Sequence, residues 1–231
     1  MKRALVTGGR RGIGLEVVRA LSAAGCEVLC LARRFEGHEL DGLPGVEPLA
    51  FDLTDVEGIP ALAATLGDLD ILVNNAGVMN ALPFDAYDPA RKDALMRVNL
   101  EAPVALMTHL APGLVRRQGR VVNVASIAGQ IGHPDVWYGA SKAALINATK
   151  SFAKLLGGQG VVVNAVAPGP TETDMLATIP AERLASAKAS TYAGRFATPT
   201  EIAAVVAWLA LEAPAYLNGT CLDMNNGFFP R

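Results

Sequence analysis

The chain reads as an α/β protein, a doubly wound parallel sheet with helices on both faces. Short apolar runs alternate with helix-forming stretches, and a glycine-rich loop joins the first run to the first helix. Hydrophobic residues make up 51% and charged residues 18%, the composition of a globular chain with a substantial core. At 231 residues a single domain spanning 1–231 is expected.

Ala4-Leu5-Val6, Val28 to Leu31, Ile71 to Val73, Val121 to Val124 and Val161 to Val163 are almost wholly apolar, as strands covered on both faces are. Helices are expected over Leu15 to Ala24, Val56 to Leu66, the region from Ala90 to Leu114, and Tyr138 to Leu156. Strands separated by helices imply parallel pairing. One connection is thin: between Leu31 and Val46, Gly37, Gly42, Gly45 and Pro44 leave room for a short helix at most. No internal repeat, low-complexity tract or linker is visible.

A net charge of -2 argues against nucleic acid or an anionic membrane surface as the main partner. No apolar run reaches the roughly 18 residues of a membrane span. Lys2-Arg3 leads straight into an apolar strand, which does not read as a secretory leader. Cys26, Cys30 and Cys221 show no framework spacing. The first two are expected on one face of one strand, too far apart to bond, as reduced core thiols of a cytoplasmic protein.

Thr7-Gly8-Gly9-Arg10-Arg11-Gly12-Ile13-Gly14 follows the first strand and opens the first helix. Glycines let the backbone turn tightly and approach a pyrophosphate, and the N–H groups of the helix N-terminus face the anion. In its strand–loop–helix context this is a Rossmann-type dinucleotide signal. The second strand ends in Leu31-Ala32-Arg33-Arg34, with no carboxylate to accept from ribose hydroxyls. Arg33, supported by Arg11, would pair with a 2′-phosphate, so NADP(H) is favoured and NAD(H) is the alternative.

Tyr138 and Lys142 lie four apart in a helical stretch and share a face. An ammonium beside a phenol favours the phenolate, which is expected to bring the Tyr138 pKa down from about 10 toward the range of efficient proton transfer. Ser126 falls at the carboxyl end of Val121 to Val124, and Asn99 in the preceding long helix. Leu72-Val73-Asn74-Asn75-Ala76-Gly77 ends a strand in small residues that would let a cofactor lie across the sheet edge. Asn164 to Thr173 leaves the sheet irregularly.

Taken in order, these motifs resemble the short-chain dehydrogenase/reductase family in its compact single-domain branch, including its 3-oxoacyl reductases. The C-terminal Asn218 to Gly227 is similar to that family's last strand, so the likeness covers essentially the whole chain. The resemblance implies that Tyr138 donates a proton in reduction, Lys142 holds the nicotinamide ribose and lowers the tyrosine pKa, and Ser126 polarises the substrate carbonyl. Asn99 would help hold a water joining Lys142 to solvent. Asp52 and Leu53 would meet the adenine, and Asn74, Ala76 and Gly77 would form the wall behind the cofactor. Gly8, Arg10, Arg11, Gly12, Ile13, Gly14, Arg33, Tyr138 and Lys142 complete the cofactor contacts with Pro168, Gly169, Thr171 and Thr173, the last holding the carboxamide. No metal is implied.

The chain departs from the family pattern in the short stretch after the second strand and in one residue fewer between Ser126 and Tyr138. Asn225-Asn226-Gly227 also replaces the usual glycine pair. His133 is read as an exposed loop residue with substrate contact as the lesser alternative, and Trp137 as packing under the helix. The region 171–197 reads as a lid over cofactor and substrate, with apolar side chains that suit a lipophilic carbonyl compound. The tail Gly227 to Arg231 carries aromatics expected at a subunit interface of a homodimer or homotetramer. The function implied is NADPH-dependent reduction of a ketone or aldehyde, an acyl thioester among them. The alternatives are an NAD-linked alcohol dehydrogenase of the same family and a non-catalytic NADP(H) sensor.

Overall fold

The computed structural model describes all residues except 36, 38, 39, 179, 180 and 231. Its centre is a seven-stranded sheet in the order β3-β2-β1-β4-β5-β6-β7, every adjacent pair parallel. The strands are β1 (Arg3–Thr7), β2 (Glu27–Ala32), β3 (Val46–Ala50), β4 (Ile71–Asn74), β5 (Arg120–Val124), β6 (Val162–Pro168) and β7 (Cys221–Met224). Helices α1 (Gly12–Ala23), α2 (Ile59–Leu66), α3 (Pro89–Met96), α4 (Ala102–Arg117), α5 (Val136–Leu156), α6 (Ala181–Ala189) and α7 (Pro199–Leu211) connect them.

Alternating side chains of each strand feed two cores. Ala4, Val6, Val28, Cys30, Ile71, Val73 and Val122 pack with Val17 and Leu21 of α1 and Ile202, Val206 and Leu209 of α7. Leu5, Leu29, Leu31, Leu72, Val121 and Val163 pack on the other face with Ile59 of α2, Leu106 and Leu114 of α4 and Ala153 of α5. Each fully buried aliphatic side chain contributes about 1.5–3 kcal/mol, which is why runs without polar alternation form the central strands. Cys26 and Cys30 share the first core as expected, although Cys26 precedes β2 rather than lying in it.

Several element expectations need correcting. β6 is longer than Val161 to Val163 and takes in Asn164, Ala165 and Val166, which were expected to leave the sheet. Buried Asn164 is accommodated because its amide donates to Leu217 O (2.7 Å) and accepts from Thr220 N (3.0 Å), tying β6 to the approach of β7. β3 and α7 were not among the expected elements. β3 is an edge strand whose Pro48 and half-exposed residues break the apolar pattern. α7 starts with a capping box in which Thr198 and Glu201 satisfy each other's backbone N–H. No α-helix bridges β2 and β3 among the described residues. No helix among them is long and apolar enough to cross a membrane.

Candidate functional site

A cleft of about 1170 Å³ opens outside the carboxyl ends of β1, β2, β4, β5 and β6. It straddles the point between β1 and β4 where the strand order reverses, the usual ligand site of an open α/β sheet. The volume exceeds the roughly 300–1,000 Å³ of a pocket for one drug-sized molecule.

The glycine loop forms one rim. Gly8 (φ +66°) donates to Leu31 O at 2.7 Å, and a Cβ on it would lie 2.9 Å from Ala76 Cα. A Cβ on Gly14 would collide with the Gly8 carbonyl oxygen and the Asn75 amide nitrogen. At Gly8 and Gly14 the loop packs so closely on itself and on the β4 exit that only glycine fits, and a tight turn of this kind opening a helix suits a pyrophosphate. Arg10, Arg11, Gly12 and Ile13 line the cleft, and Gly12 (φ +55°) faces Thr173, whose Cγ2 would be 3.3 Å from an added Cβ. Thr7 holds the β1 and β4 exits together: its hydroxyl accepts from Asn75 N and Ala76 N, both at 3.0 Å.

Ala76 and Gly77 border the cleft as expected, but Asn74 does not. Asn74 is the last residue of β4, and its side chain points into the sheet, donating to Asn123 Oδ1 at 2.8 Å. Asn75 faces the cleft instead, bonded to Thr7 O (2.9 Å) and Gly8 O (3.2 Å). Strand alternation carried one residue too far explains the misplacement.

At the end of β2, Arg33 is exposed on the rim near Asp52. The N–H of Thr54 holds the Asp52 carboxyl below its usual range, with help from the Thr54 hydroxyl and the Arg33 charge. Leu53 lines the cleft beside it. Arg11 does not support Arg33 as expected; it pairs with Asp174 at 3.1 Å, with both side chains more than two-thirds exposed. Such a pair is worth about 0–1 kcal/mol and exchanges readily for a stronger anion. Pro168, Gly169, Thr171 and Thr173 border the far side.

Ser126, Tyr138 and Lys142 meet on the cleft floor, all buried. Lys142 Nζ lies 5.9 Å from the Tyr138 ring centroid and donates to Val124 O at 2.9 Å. Burial pushes the Lys142 pKa down to about 8. The Tyr138 pKa was expected to fall, but burial pushes it up; a hydrogen bond from Ser126 lowers it and Asp135 raises it. The ammonium is engaged by the Val124 carbonyl, so desolvation decides the sign and the phenol is protonated near neutrality.

The shortened path from Ser126 to Tyr138 packs tightly at Gly129. Ser126 caps a short turn by accepting from Ala128 N (3.1 Å), and a Cβ on Gly129 would lie 2.6 Å from Ala143 N. Asp135 then caps α5 by accepting from Tyr138 N at 3.1 Å. It also accepts from Tyr87 Oη (2.6 Å), Asn80 N (3.2 Å) and Ala81 N (3.0 Å), so one buried carboxylate ties three segments at the cleft wall. Desolvation first, and then the Asp135 contact, push Tyr87 up to about 12. His133 is not simply exposed: it lines the cleft, its ring 5.4 Å from that of Tyr138. Trp137 lies outside the cleft lining, over Lys92 at 5.6 Å.

Asn99 sits in a π-helical turn, Arg97–Glu101, between α3 and α4. Its amide accepts from Val78 N (2.8 Å) and donates to Val78 O (2.9 Å) and Ser141 Oγ (3.1 Å). A Cβ on Gly77 would lie 3.2 Å from Lys142 Nζ and 3.6 Å from Asn99 Oδ1, so a side chain there would crowd the lysine. The sequence reading gave no role to Thr7 and Asn75, which stand inside its two motifs, or to Asp135, whose signal is that of a cap residue ahead of an apolar helix.

The protein family described as enoyl-(acyl carrier protein) reductase matches residues 8–229. The 3-oxoacyl-[acyl-carrier-protein] reductase FabG of Vibrio cholerae is 36% identical over 238 residues, covering 99% of this chain and 97% of the relative. A putative 2-deoxy-D-gluconate 3-dehydrogenase from Agrobacterium tumefaciens, solved with bound NADP, superposes with a TM-score of 0.92 at 32% identity, covering 100% of this chain and 97% of the other. Another solved structure, described as a short chain dehydrogenase/reductase family protein, gives a TM-score of 0.87 at 36% identity over 98% of this chain and 96% of its own. With the motifs in order along one parallel sheet and relatives matched end to end, the chain belongs to the short-chain dehydrogenase/reductase family.

Proposed function

We propose that the protein is an NADPH-dependent carbonyl reductase that converts a ketone or aldehyde to an alcohol, with Tyr138 as the proton donor. One observation carries this reading: Ser126, Tyr138 and Lys142 converge on the buried floor of a cleft with a glycine cradle on its rim. The nicotinamide supplies the hydride. A carbonyl oxygen seated beside the Ser126 and Tyr138 hydroxyls would accept from both, and their dipoles meet the negative charge that develops on it. Burial keeps the phenol in its donor form, the form that reduction requires. Lys142, still largely an ammonium at pH 7, would hold ribose hydroxyls and steady the phenolate once the proton has left. Asn99 fixes the Val78 turn through its amide, and at this place near Gly77 and Lys142 it would help hold a water joining Lys142 to solvent.

Arg33 on the rim suits the 2′-phosphate of NADP, the cofactor bound in the Agrobacterium structure. The whole chain is taken as one catalytic unit, with 171–197 as its lid. Met175, Leu176, Leu184 and Ala187 from that segment line the cleft, which supports a lipophilic substrate such as a 3-oxoacyl thioester over a sugar acid. The matched family's description names reduction of a carbon–carbon double bond. The Ser126 hydroxyl bonded to the phenol favours a carbonyl instead. Homo-oligomerisation through exposed apolar residues of α5, Val136 and Leu155, and a cytoplasmic setting belong to the same proposal.

Tyr138→Phe tests the assignment. Carbonyl-dependent NADPH oxidation should fall by about 10²-fold or more, while the NADPH dissociation constant stays within about twofold. Turnover that survives the substitution would show that another group delivers the proton.

A further inference from the structure

In the C-terminal tail Phe228 and Phe229 are half-buried, and Phe228 lines the cleft. Met224, the last residue of β7, accepts from Gly169 N at 2.9 Å, which brings the strand's end against the Pro168–Thr171 border of the cleft. Beyond it the chain folds into a tight turn held from within. Buried Asn225 donates through Nδ2 to Phe229 O (3.1 Å) and accepts from Phe229 N (3.4 Å), while Phe228 N donates to Asn225 O (3.0 Å). Asn226 (φ +49°) and Gly227 (φ +71°) both take the left-handed conformation, open to asparagine and easiest for glycine. This accounts for the Asn225-Asn226-Gly227 departure from the family pattern.

The same turn is held from outside by the segment that follows α6. Asn226 O accepts from Tyr192 N at 2.9 Å, and Asn226 Oδ1 accepts from Ala193 N at 3.0 Å. Gly227 lies so close to the Tyr192 ring that any Cβ would collide with it. With its turn fixed on both sides, Phe228 joins Met175, Leu184 and Ala187 in lining the cleft.

We propose that Phe228 is a specificity-determining residue whose ring closes the substrate end of the cleft and limits the length of the acyl or alkyl chain admitted. Asn225 is the positioning residue that holds it there. The proposal rests on the carbonyl-reductase reading and extends it to the substrate's shape. An aromatic ring with its backbone clamped at both ends is a stiff wall, so chains that reach it must stop or bend. Each methylene buried beyond it would be worth about fourfold in kcat/KM.

The test uses the full chain with NADPH and N-acetylcysteamine thioesters of 3-oxobutanoic and 3-oxodecanoic acid, read as the ratio of kcat/KM for the long to the short substrate. In Phe228→Ala that ratio should rise by about tenfold or more, and in Phe228→Trp it should fall. Asn225→Ala should shift it in the direction of Phe228→Ala through KM of the long substrate. NADP⁺ affinity serves as the folding control for each variant. In parallel, calorimetry measures binding of the saturated butanoyl and decanoyl thioesters to the protein–NADP⁺ complex, where no turnover is needed. Unchanged ratios in all variants while reduction proceeds would overturn the proposal and leave the carbonyl-reductase reading intact. If wild type reduces neither thioester, that reading loses its support for this substrate class. The calorimetric preference then decides the wall by itself: a shift toward the decanoyl probe in Phe228→Ala upholds it, and no shift overturns it.

Discussion

Replacing Lys142 by methionine tests the electrostatics of the site without reference to any substrate. The side chain is buried, and desolvation pushes its pKa from an ordinary 10.5 to about 8. Below pH 8 both folded and unfolded chains carry the charge, and the folded state bears the whole desolvation cost, about 3 kcal/mol for a depression of this size. Between about pH 8 and 10.5 the unfolded chain holds the proton more tightly, so this group's destabilising contribution fades as pH rises. Methionine has similar length and no charge, so its contribution does not vary with pH. It avoids the desolvation cost but leaves Val124 O without the hydrogen bond now donated at 2.9 Å, a loss of about 1–3 kcal/mol. The two terms nearly cancel at pH 7, and the informative quantity is the slope. Urea unfolding at fixed protein concentration from pH 7 to 10 should show wild type gaining about 2–3 kcal/mol relative to Lys142→Met. Parallel curves would refute the reasoning, because a lysine with an ordinary pKa contributes no such difference. A group held at this cost and dispensable to stability is what a functional site is expected to contain.

Arg33→Ala should weaken NADPH binding about 10- to 100-fold and leave NADH within about twofold, since only the 2′-phosphate loses a charge-assisted partner. Titration of nicotinamide fluorescence reads both, and equal affinity of wild type for the two cofactors would count against the NADP assignment. Gly14→Ala forces a Cβ into the Gly8 carbonyl oxygen, so thermal unfolding should show a loss of about 1–3 kcal/mol and cofactor binding should weaken by about tenfold or more. A variant of wild-type stability and affinity would mean that the cradle is looser than its packing implies.

Much of this protein is written locally. The central strands are runs that only a sheet covered on both faces would bury. The glycine loop is legible because its close packing on the β4 exit requires glycine at Gly8 and Gly14, and Tyr138 and Lys142 because helical pitch sets them one turn apart. β3 escapes such a reading because it is an edge, where Glu47 and Pro48 are tolerated and the apolar pattern dissolves. Asn74 and Asn75 differ only in which side of the sheet's end they face, and that depends on where β4 stops. The strength of the Tyr138 acid follows from how deeply packing buries it and from the carbonyl that Lys142 finds, neither of which is encoded in their spacing. Phe228 lines the cleft after a turn that Tyr192 and Ala193, more than thirty positions earlier, bond from outside. The sequence by itself therefore determined the central strands, the glycine loop that opens α1 and the shared helix face of Tyr138 and Lys142, because these follow from periodicity and local backbone freedom. The tertiary structure alone decided how deeply Tyr138 and Lys142 are buried, the residues that hold them and the place of Phe228 in the cleft lining, because burial and long-range hydrogen bonds depend on which distant segments come together.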